Sequence, residues 1–529
     1  MRKLTSALGL MAMVSGLSMA ATGCDSGESD PSSDESDFSS AEATLLTFTF
    51  RGELVTTETW DLEQTIQDQL LYTIGQLNGN RSVGRLDTVQ ITNIQTERLE
   101  DGTTKVTYDA VLPVGWGSKT NLPTTYDFRL PKKVDGASLS VFTDKYKNDC
   151  VDWGAHDVDA GSMWYYYRPA ASRCRLDAND VVKLTASVEK SAENTDGKFP
   201  EYHEVWKDDR LDVIAIFGKY EDGATTSSDA CISAYGRFVS TVRSTFRDAT
   251  VTPANAPTTP GDSVKEVAVE ATIAGGRTVK ITAMLVDNIA SAPRSFFDRY
   301  DDLSGSADLI FYNGHAGLGQ NVRALAQKGK FEPGKYQIFF MNGCDTFAYV
   351  DGSLAKTRSV LNPDDPTGTR YMDMVTNVMP SFFSSMPSAS MALVDGLMSV
   401  DEPRTYQEIF AKIDRSEVVV VTGEEDNVFT PGGVEEPWTF DDKGVVTRDQ
   451  MIDYDLGELP AGTYTIAIHE DQSAIGGDAD LYVRLGSKPT KTAYDQRPWL
   501  DGSNETVTVE LTQPTRVYAM VHGLSLIHI

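Results

Sequence analysis

Five short apolar runs between residues 208 and 425 constrain this chain more than any other feature: RLDVIAIFG, TVKITAMLV, ADLIFYN, YQIFFMN and SEVVVVTG. Past their opening residues, none keeps up the polar alternation that would leave one face in water. Strands of this kind are buried on both faces, and when helical stretches separate them they form a mainly parallel, doubly covered sheet. The separating stretches are present. Cys231, Tyr235, Phe238, Val242 and Phe246 share one helical face, and SAPRSFFDRYDDL and NVRALAQKG also read as helices. RYMDMVTNVMPSFF reads as a helix that its proline ends or kinks. VKEVAVEATI and TVKITAMLV are joined at Gly275-Gly276.

At 529 residues the chain is too long for one hydrophobic core, and the pattern changes on either side of this α/β segment. Residues 42–205 read as an α+β domain. LLTFTF is a strand, LEQTIQDQLLYTIGQL is a helix with Ile66, Leu70, Ile74 and Leu77 on one face, and a hairpin turns at Asp101-Gly102. No catalytic constellation shows there, which leaves the roles of spacer, binding module or pro-segment. Residues 435–524 alternate apolar and polar positions in GTYTIAIHE, ADLYVRLG, ETVTVELT and TRVYAMVHG, the pattern of a small all-β sandwich. Residues 525–529 read as a non-native end on a truncated domain.

The first 23 residues form an export address: Arg2 and Lys3, an apolar run too short to span a bilayer, then small residues before Cys24. Ala21-Thr22-Gly23-Cys24 resembles a bacterial lipobox, which implies a lipid on the Cys24 sulfur and an outer-membrane or cell-surface lipoprotein. Cleavage after Ala20 or Ala21 would instead give a secreted protein. Residues 24–41 are an acidic, Ser-rich tether without the apolar area to fold. The chain carries 47 Lys and Arg against 77 Asp and Glu, a net charge of -30 that repels nucleic acid.

Of the five cysteines, Cys24 belongs to the lipobox. Cys150 and Cys174 bracket an aromatic loop suited to a structural disulfide. His156 and Asp157 inside that loop have no second histidine nearby, so it reads as structural rather than metal-binding. Cys231 behaves as a small hydrophobe on its helix. Cys344 is then left unpaired in an exported chain.

LIFYNGHAGLG and QIFFMNGCDTF end alike, in Asn-Gly followed by His315 in one and Cys344 in the other. Ligands bind beyond the carboxyl ends of an open parallel sheet, so adjacent strands would bring these two residues to one edge. An imidazole beside a thiol raises its thiolate fraction and can protonate a leaving amine. On this reading Cys344 is the nucleophile and His315 the general acid/base. Backbone N–H groups at Ala316, Gly317 and Cys344 would hold the oxyanion, and Asn313 or Asp345 would orient the ring.

On these blocks, His315-Ala316 and Asn342-Gly343-Cys344-Asp345, the α/β segment resembles the caspase-like cysteine peptidases of clan CD, which include gingipains, clostripain and metacaspases. The resemblance implies an α/β/α sandwich over 208–425, peptide-bond hydrolysis through a thioester, and no catalytic metal or cofactor. GGDADLYVRLGSKPTKTAYDQRPWLDGSNETVTV resembles the bacterial pre-peptidase C-terminal domain carried by secreted peptidases. Together they imply an envelope-tethered or secreted cysteine endopeptidase acting on protein or peptide substrates. The rival is a catalytically inactive surface lipoprotein that adheres through its C-terminal domain. A serine or metallo-hydrolase would want a Gly-x-Ser-x-Gly elbow or a His-Glu-x-x-His pair, and the sequence has neither.

Overall fold

The computed structural model describes residues 42–431 apart from 156 and 351, and then 442, 444–459, 462–469, 477–500, 502–524 and 527–528. The export address, Cys24, the tether and His156 lie outside the described residues, as do 525, 526 and 529. The chain divides into two compact units with the boundary between Gly433 and Val434. The stretches read from sequence as separate domains, 42–205 and 208–425, therefore share one unit.

The N-terminal part of that unit is a six-stranded antiparallel sheet. It comprises β1 (Thr44–Thr56), β2 (Ser82–Gly84), β3 (Gln90–Arg98), β4 (Thr104–Trp116), β5 (Thr125–Pro131) and β6 (Val181–Lys190), in the order β2-β4-β1-β6-β5 with β3 also on β4. Helix α1 (Leu62–Asn78) starts where the Asp61 carboxylate accepts the Gln64 N–H, and it buries Ile66, Leu70, Ile74 and Leu77. Helices α2 (Gly136–Tyr146) and α3 (Met163–Tyr166) follow, and a Cys150–Cys174 disulfide closes the loop that carries α3 between α2 and β6.

After α4 (Tyr202–Val205) the chain builds an eight-stranded sheet: β7 (Arg210–Gly218), β8 (Thr250–Thr252), β9 (Glu266–Thr272), β10 (Thr278–Val286), β11 (Leu309–Asn313), β12 (Gln337–Asn342), β13 (Met372–Asn377) and β14 (Val419–Thr422). Its order is β14-β13-β12-β11-β7-β10-β9-β8. The run from β13 to β10 is parallel and the remaining strands are antiparallel. The helices between are α5 (Ala230–Thr245), α6 (Arg294–Ser304), α7 (Gln320–Ala326), α8 (Thr346–Tyr349), α9 (Ser353–Leu361), α10 (Met386–Leu397) and α11 (Tyr406–Phe410). Val213, Ala215 and Phe217 of β7 pack with α5, α10 and α11, while Ile214 and Ile216 pack with α6, α7 and α9. Helices on both faces explain why the inner stretches of these strands, such as Val213–Phe217 and Ile338–Met341, are unbroken apolar runs.

One element differs from the sequence reading. Residues 372–377, inside the stretch read as a helix, are strand β13. Met372 and Met374 enter one core layer and Val375 the other, so tertiary burial between β12 and β14 overrides the helical preference of the methionines. The helix begins later, at Met386.

The second unit is all β. Strands β15 (Val445–Val446), β16 (Met451–Leu459), β17 (Gly462–Ile468), β18 (Ala479–Leu485), β19 (Glu505–Leu511), β20 (Thr515–Gly523) and β21 (Ile527–His528) pair antiparallel as β16-β20-β18, β17-β19 and β15-β21. Leu481, Val483, Val507, Val509, Val517 and Val521 share its core. Among the described residues no helix is long and apolar enough to cross a membrane.

Candidate functional site

The strand order creates a crevice. From β7 the chain goes to β10 on one side, then returns to place β11 on the other, so connections diverge at the carboxyl ends of β7 and β11. Ligand sites of open α/β sheets lie at such a switch point. Register puts Asn313 of β11 beside Phe217 of β7 and Asn342 of β12, which brings the turns after Gly218, Asn313 and Asn342 to one edge. The turns are close: a Cβ on Gly343 would stand 2.6 Å from the Gly314 carbonyl oxygen, so a larger residue there would push backbone against backbone.

A buried polar clamp fixes this edge. The Asn342 amide donates to Asn313 Oδ1 at 2.8 Å, the Ser390 hydroxyl of α10 donates to the same oxygen at 3.1 Å, and the Ser381 hydroxyl donates to Asn342 Oδ1 at 2.6 Å. Nearby, Glu417 accepts from Asn377 at 3.2 Å and from the Ser385 hydroxyl. Burial pushes its carboxyl up to about 7.

His315 sits half-buried at the rim. Its Nε2 donates to the Tyr220 carbonyl at 3.1 Å, an assignment that follows from the partner being a carbonyl and leaves Nδ1 as the basic nitrogen. The rings of Tyr220 and Phe383 each lie 5.2 Å from the imidazole, one tilted and one edge-on. Its own carbonyl takes the Tyr312 hydroxyl at 2.8 Å and the Asn321 amide at 2.7 Å. Burial lowers the imidazole pKa, opposed by the Tyr220 bond and by Asp229 and Asp222, so the ring is a neutral base near pH 7.

The strands place His315 and Cys344 on the same edge, but three assigned roles change. Cys344 is disulfide-bonded, so the edge does not present the free thiolate that an unpaired cysteine would have supplied. Asp345 does not orient the imidazole: fully buried with a left-handed φ of 52°, it accepts from Asn78 of α1 at 3.1 Å. Asn313 spends its side-chain oxygen on Asn342 and Ser390. Ala316 is buried in the same hydrophobic core as α1, with its carbonyl accepting from the N–H groups of Gly319 and Asn321. With no thioester to serve, the oxyanion role assigned to Ala316, Gly317 and Cys344 falls away.

The N-terminal sheet covers much of this edge. Phe347, Tyr349, Val378 and Val420 belong to the same core as Leu46, Leu70 and Val114, and the Ala43 N–H donates to the Val419 carbonyl at 2.8 Å. Tyr220, Ser381, Phe383, Ser390 and Glu417 escaped the sequence reading because none stands in a motif. The one available signal for Tyr220 was its position just past the end of β7, beside the switch point.

No family model matches the chain. Short matches of C-terminal type connect it with proteases. Over 49 residues it is 55% identical to "Alkaline serine exoprotease A" of Vibrio alginolyticus, covering 9% of each chain. It is 49% identical over 49 residues to "Virulence metalloprotease" of Vibrio anguillarum, covering 9% of this chain and 8% of that one. To "Zinc metalloprotease" of Helicobacter pylori it is 43% identical over 49 residues, 9% of this chain and 19% of that one. The chain thus spans less than a fifth of these relatives. The solved structure titled "Solution structure of vEP C-ter 100" is 30% identical, covers 16% of this chain and 79% of that one, and superposes with a TM-score of 0.14, which assigns no fold.

These findings overturn the clan CD resemblance and the cysteine endopeptidase with it, since the relatives are named as metalloproteases and a serine exoprotease. The inactive caspase-like lipoprotein falls on the same ground. The pre-peptidase C-terminal resemblance has no family model behind it, and the short protease matches stand in its place. One relative's name carries zinc, and among the described residues of this chain no group of three or more His, Cys, Asp or Glu is placed to hold a metal ion.

Proposed function

We propose that this chain is an exported peptidase acting on protein or peptide substrates, whose C-terminal unit is an accessory module common to proteases of unlike catalytic class. The observation that carries this reading is the 49-residue match shared by a serine exoprotease and metalloproteases. A segment common to different chemistries cannot be what cleaves the bond, so it serves delivery or substrate capture. The charged and apolar leader at residues 1–23 supports export. The hydrolytic centre belongs at the switch point. There the His315 imidazole, neutral and aromatic-flanked, can accept a proton at Nδ1 while the Tyr220 carbonyl holds the other ring nitrogen.

Purified full-length chain, before and after limited proteolysis, would be assayed on labelled casein and a mixed peptide panel, alongside His315→Ala and a chain ending at residue 433. Hydrolysis that is lost in His315→Ala and kept without the C-terminal unit is the expected result. Absence of hydrolysis in every preparation, or activity untouched by His315→Ala, overturns the reading.

A further inference from the structure

At the opposite end of the large sheet, where β13 begins and β14 ends, three buried oxygen atoms have no partner: Asp373 Oδ1, Glu424 Oε2 and Asn427 Oδ1. The three residues are 0%, 4% and 4% exposed. Asp373 directs its other oxygen at three donors, the Tyr336 hydroxyl at 2.5 Å, the Asn427 amide at 2.8 Å and the Tyr406 hydroxyl. All three donors fall on that one oxygen, which leaves Oδ1 bare. Glu424 likewise accepts the Thr195 hydroxyl on one oxygen and leaves the other bare. Gly423, with φ of 100°, lays the turn that carries Glu424 and Asn427 against Met372 and Asp373, so close that a Cβ would stand 2.4 Å from the Met372 carbonyl oxygen.

Two buried carboxylates side by side need a positive charge or a proton. Among the described residues neither Asp373 nor Glu424 has an ion pair. The neighbouring ammonium, Lys198 Nζ, donates instead to the Asn427 main-chain carbonyl at 2.7 Å. Glu201, the other acid beside Asp373, is taken up by the Val428 and Phe429 N–H groups and by His203. Two carboxylate oxygens and an amide oxygen are hard oxygen donors of the kind that take calcium, with water completing the shell.

We propose that Asp373, Glu424 and Asn427 bind a calcium-class divalent cation, which ties the turn after β14 to the start of β13 and to the 195–201 linker. The site is separate from the switch point and does not depend on the peptidase reading.

Terbium tests it directly, because Tyr336 and Tyr406 touch Asp373 and can sensitise its luminescence. Full-length protein should give saturable, tyrosine-excited emission that calcium displaces. Emission should fall at least tenfold in Glu424→Gln, persist in the exposed control Asp401→Asn, and be accompanied by a higher melting temperature in calcium than in EGTA. Asp373→Asn repeats the test if Glu424→Gln does not fold. Emission unchanged in whichever of these two variants folds, or equal melting temperatures in calcium and EGTA, overturns the proposal and leaves a shared proton as the charge balance.

Discussion

Replacing Asp345 by Asn isolates one buried acid at the seam between the N-terminal sheet and the strand ends. Asp345 is fully buried, and burial raises its carboxyl to about 7 from the ordinary aspartate range. Between those values the folded protein keeps a proton that the unfolded chain has released. Stability is therefore fully present below the unfolded pKa and is lost as pH rises, levelling off once pH passes the folded value. A gap of about three pH units is worth about 4 kcal/mol over the whole window, of which about 2–3 kcal/mol falls between pH 5 and pH 8. Asparagine keeps the shape, tolerates the left-handed backbone at this position, and still accepts from Asn78, but it cannot ionise. Urea denaturation at a series of pH values should show the wild type losing about 2–3 kcal/mol more than the variant over that range. Asp308 and Glu417, also raised to about 7 by burial, add slopes of the same sign to both proteins and cancel in the difference. Parallel stability curves for the two proteins would refute the reasoning.

Three further perturbations probe the same unit. Gly343→Ala places a methyl 2.6 Å from the Gly314 oxygen, so it should cost about 1–3 kcal/mol, measured as a fall in melting temperature. Replacing Cys150 and Cys174 together by Ser removes a cross-link between residues 24 apart in sequence and should cost about 3 kcal/mol by denaturant titration under non-reducing conditions. Iodoacetamide applied to the unfolded, unreduced chain should label Cys231 and spare Cys344, and reduction should open Cys344 to the reagent; labelling of Cys344 without reduction would show its sulfur to be free.

What was legible in the sequence follows from burial symmetry. Strands covered on both faces, such as β12 and the second half of β7, announce themselves as unbroken apolar runs, and α1 shows as Ile66, Leu70, Ile74 and Leu77 at helical spacing because its large aliphatic side chains line one face, although its last two turns are buried all round. β13 was hidden because Asp373, Thr376 and Asn377 interrupt its apolar run. Two of these side chains are buried through polar partners, Tyr336 and Tyr406 for Asp373 and Glu417 for Asn377, that lie far away in sequence. Cys344 was misread for a related reason, since counting cysteines assumes that a motif already claims its members. The clamp of Asn313, Asn342, Ser381 and Ser390 was invisible in the same way, being assembled from four separate segments.

The covered edge also bears on what the proposed peptidase could accept. The N-terminal sheet packs over the loops after β12 and β13, where Phe347, Tyr349 and Val378 share its core, so a substrate cannot enter from that side without opening a hydrophobic interface. The approach that stays open runs over the turn after β7. There Glu221 and Asp222 are exposed, Tyr220 is half-buried, and Asp222 and Asp229 lie near enough to act on the His315 imidazole. Acidic groups along a rim draw in cations and raise their local concentration, an effect that salt screens over about 10 Å at 0.1 M ionic strength. Peptides with Lys or Arg beside the scissile bond should therefore be cleaved faster than otherwise identical peptides with Glu there. The preference should shrink with added salt and in the double variant Glu221→Gln, Asp222→Asn. A panel of fluorogenic peptides read as kcat/KM at low and high salt decides it. Equal rates for basic and acidic peptides would show that substrates reach His315 by another route.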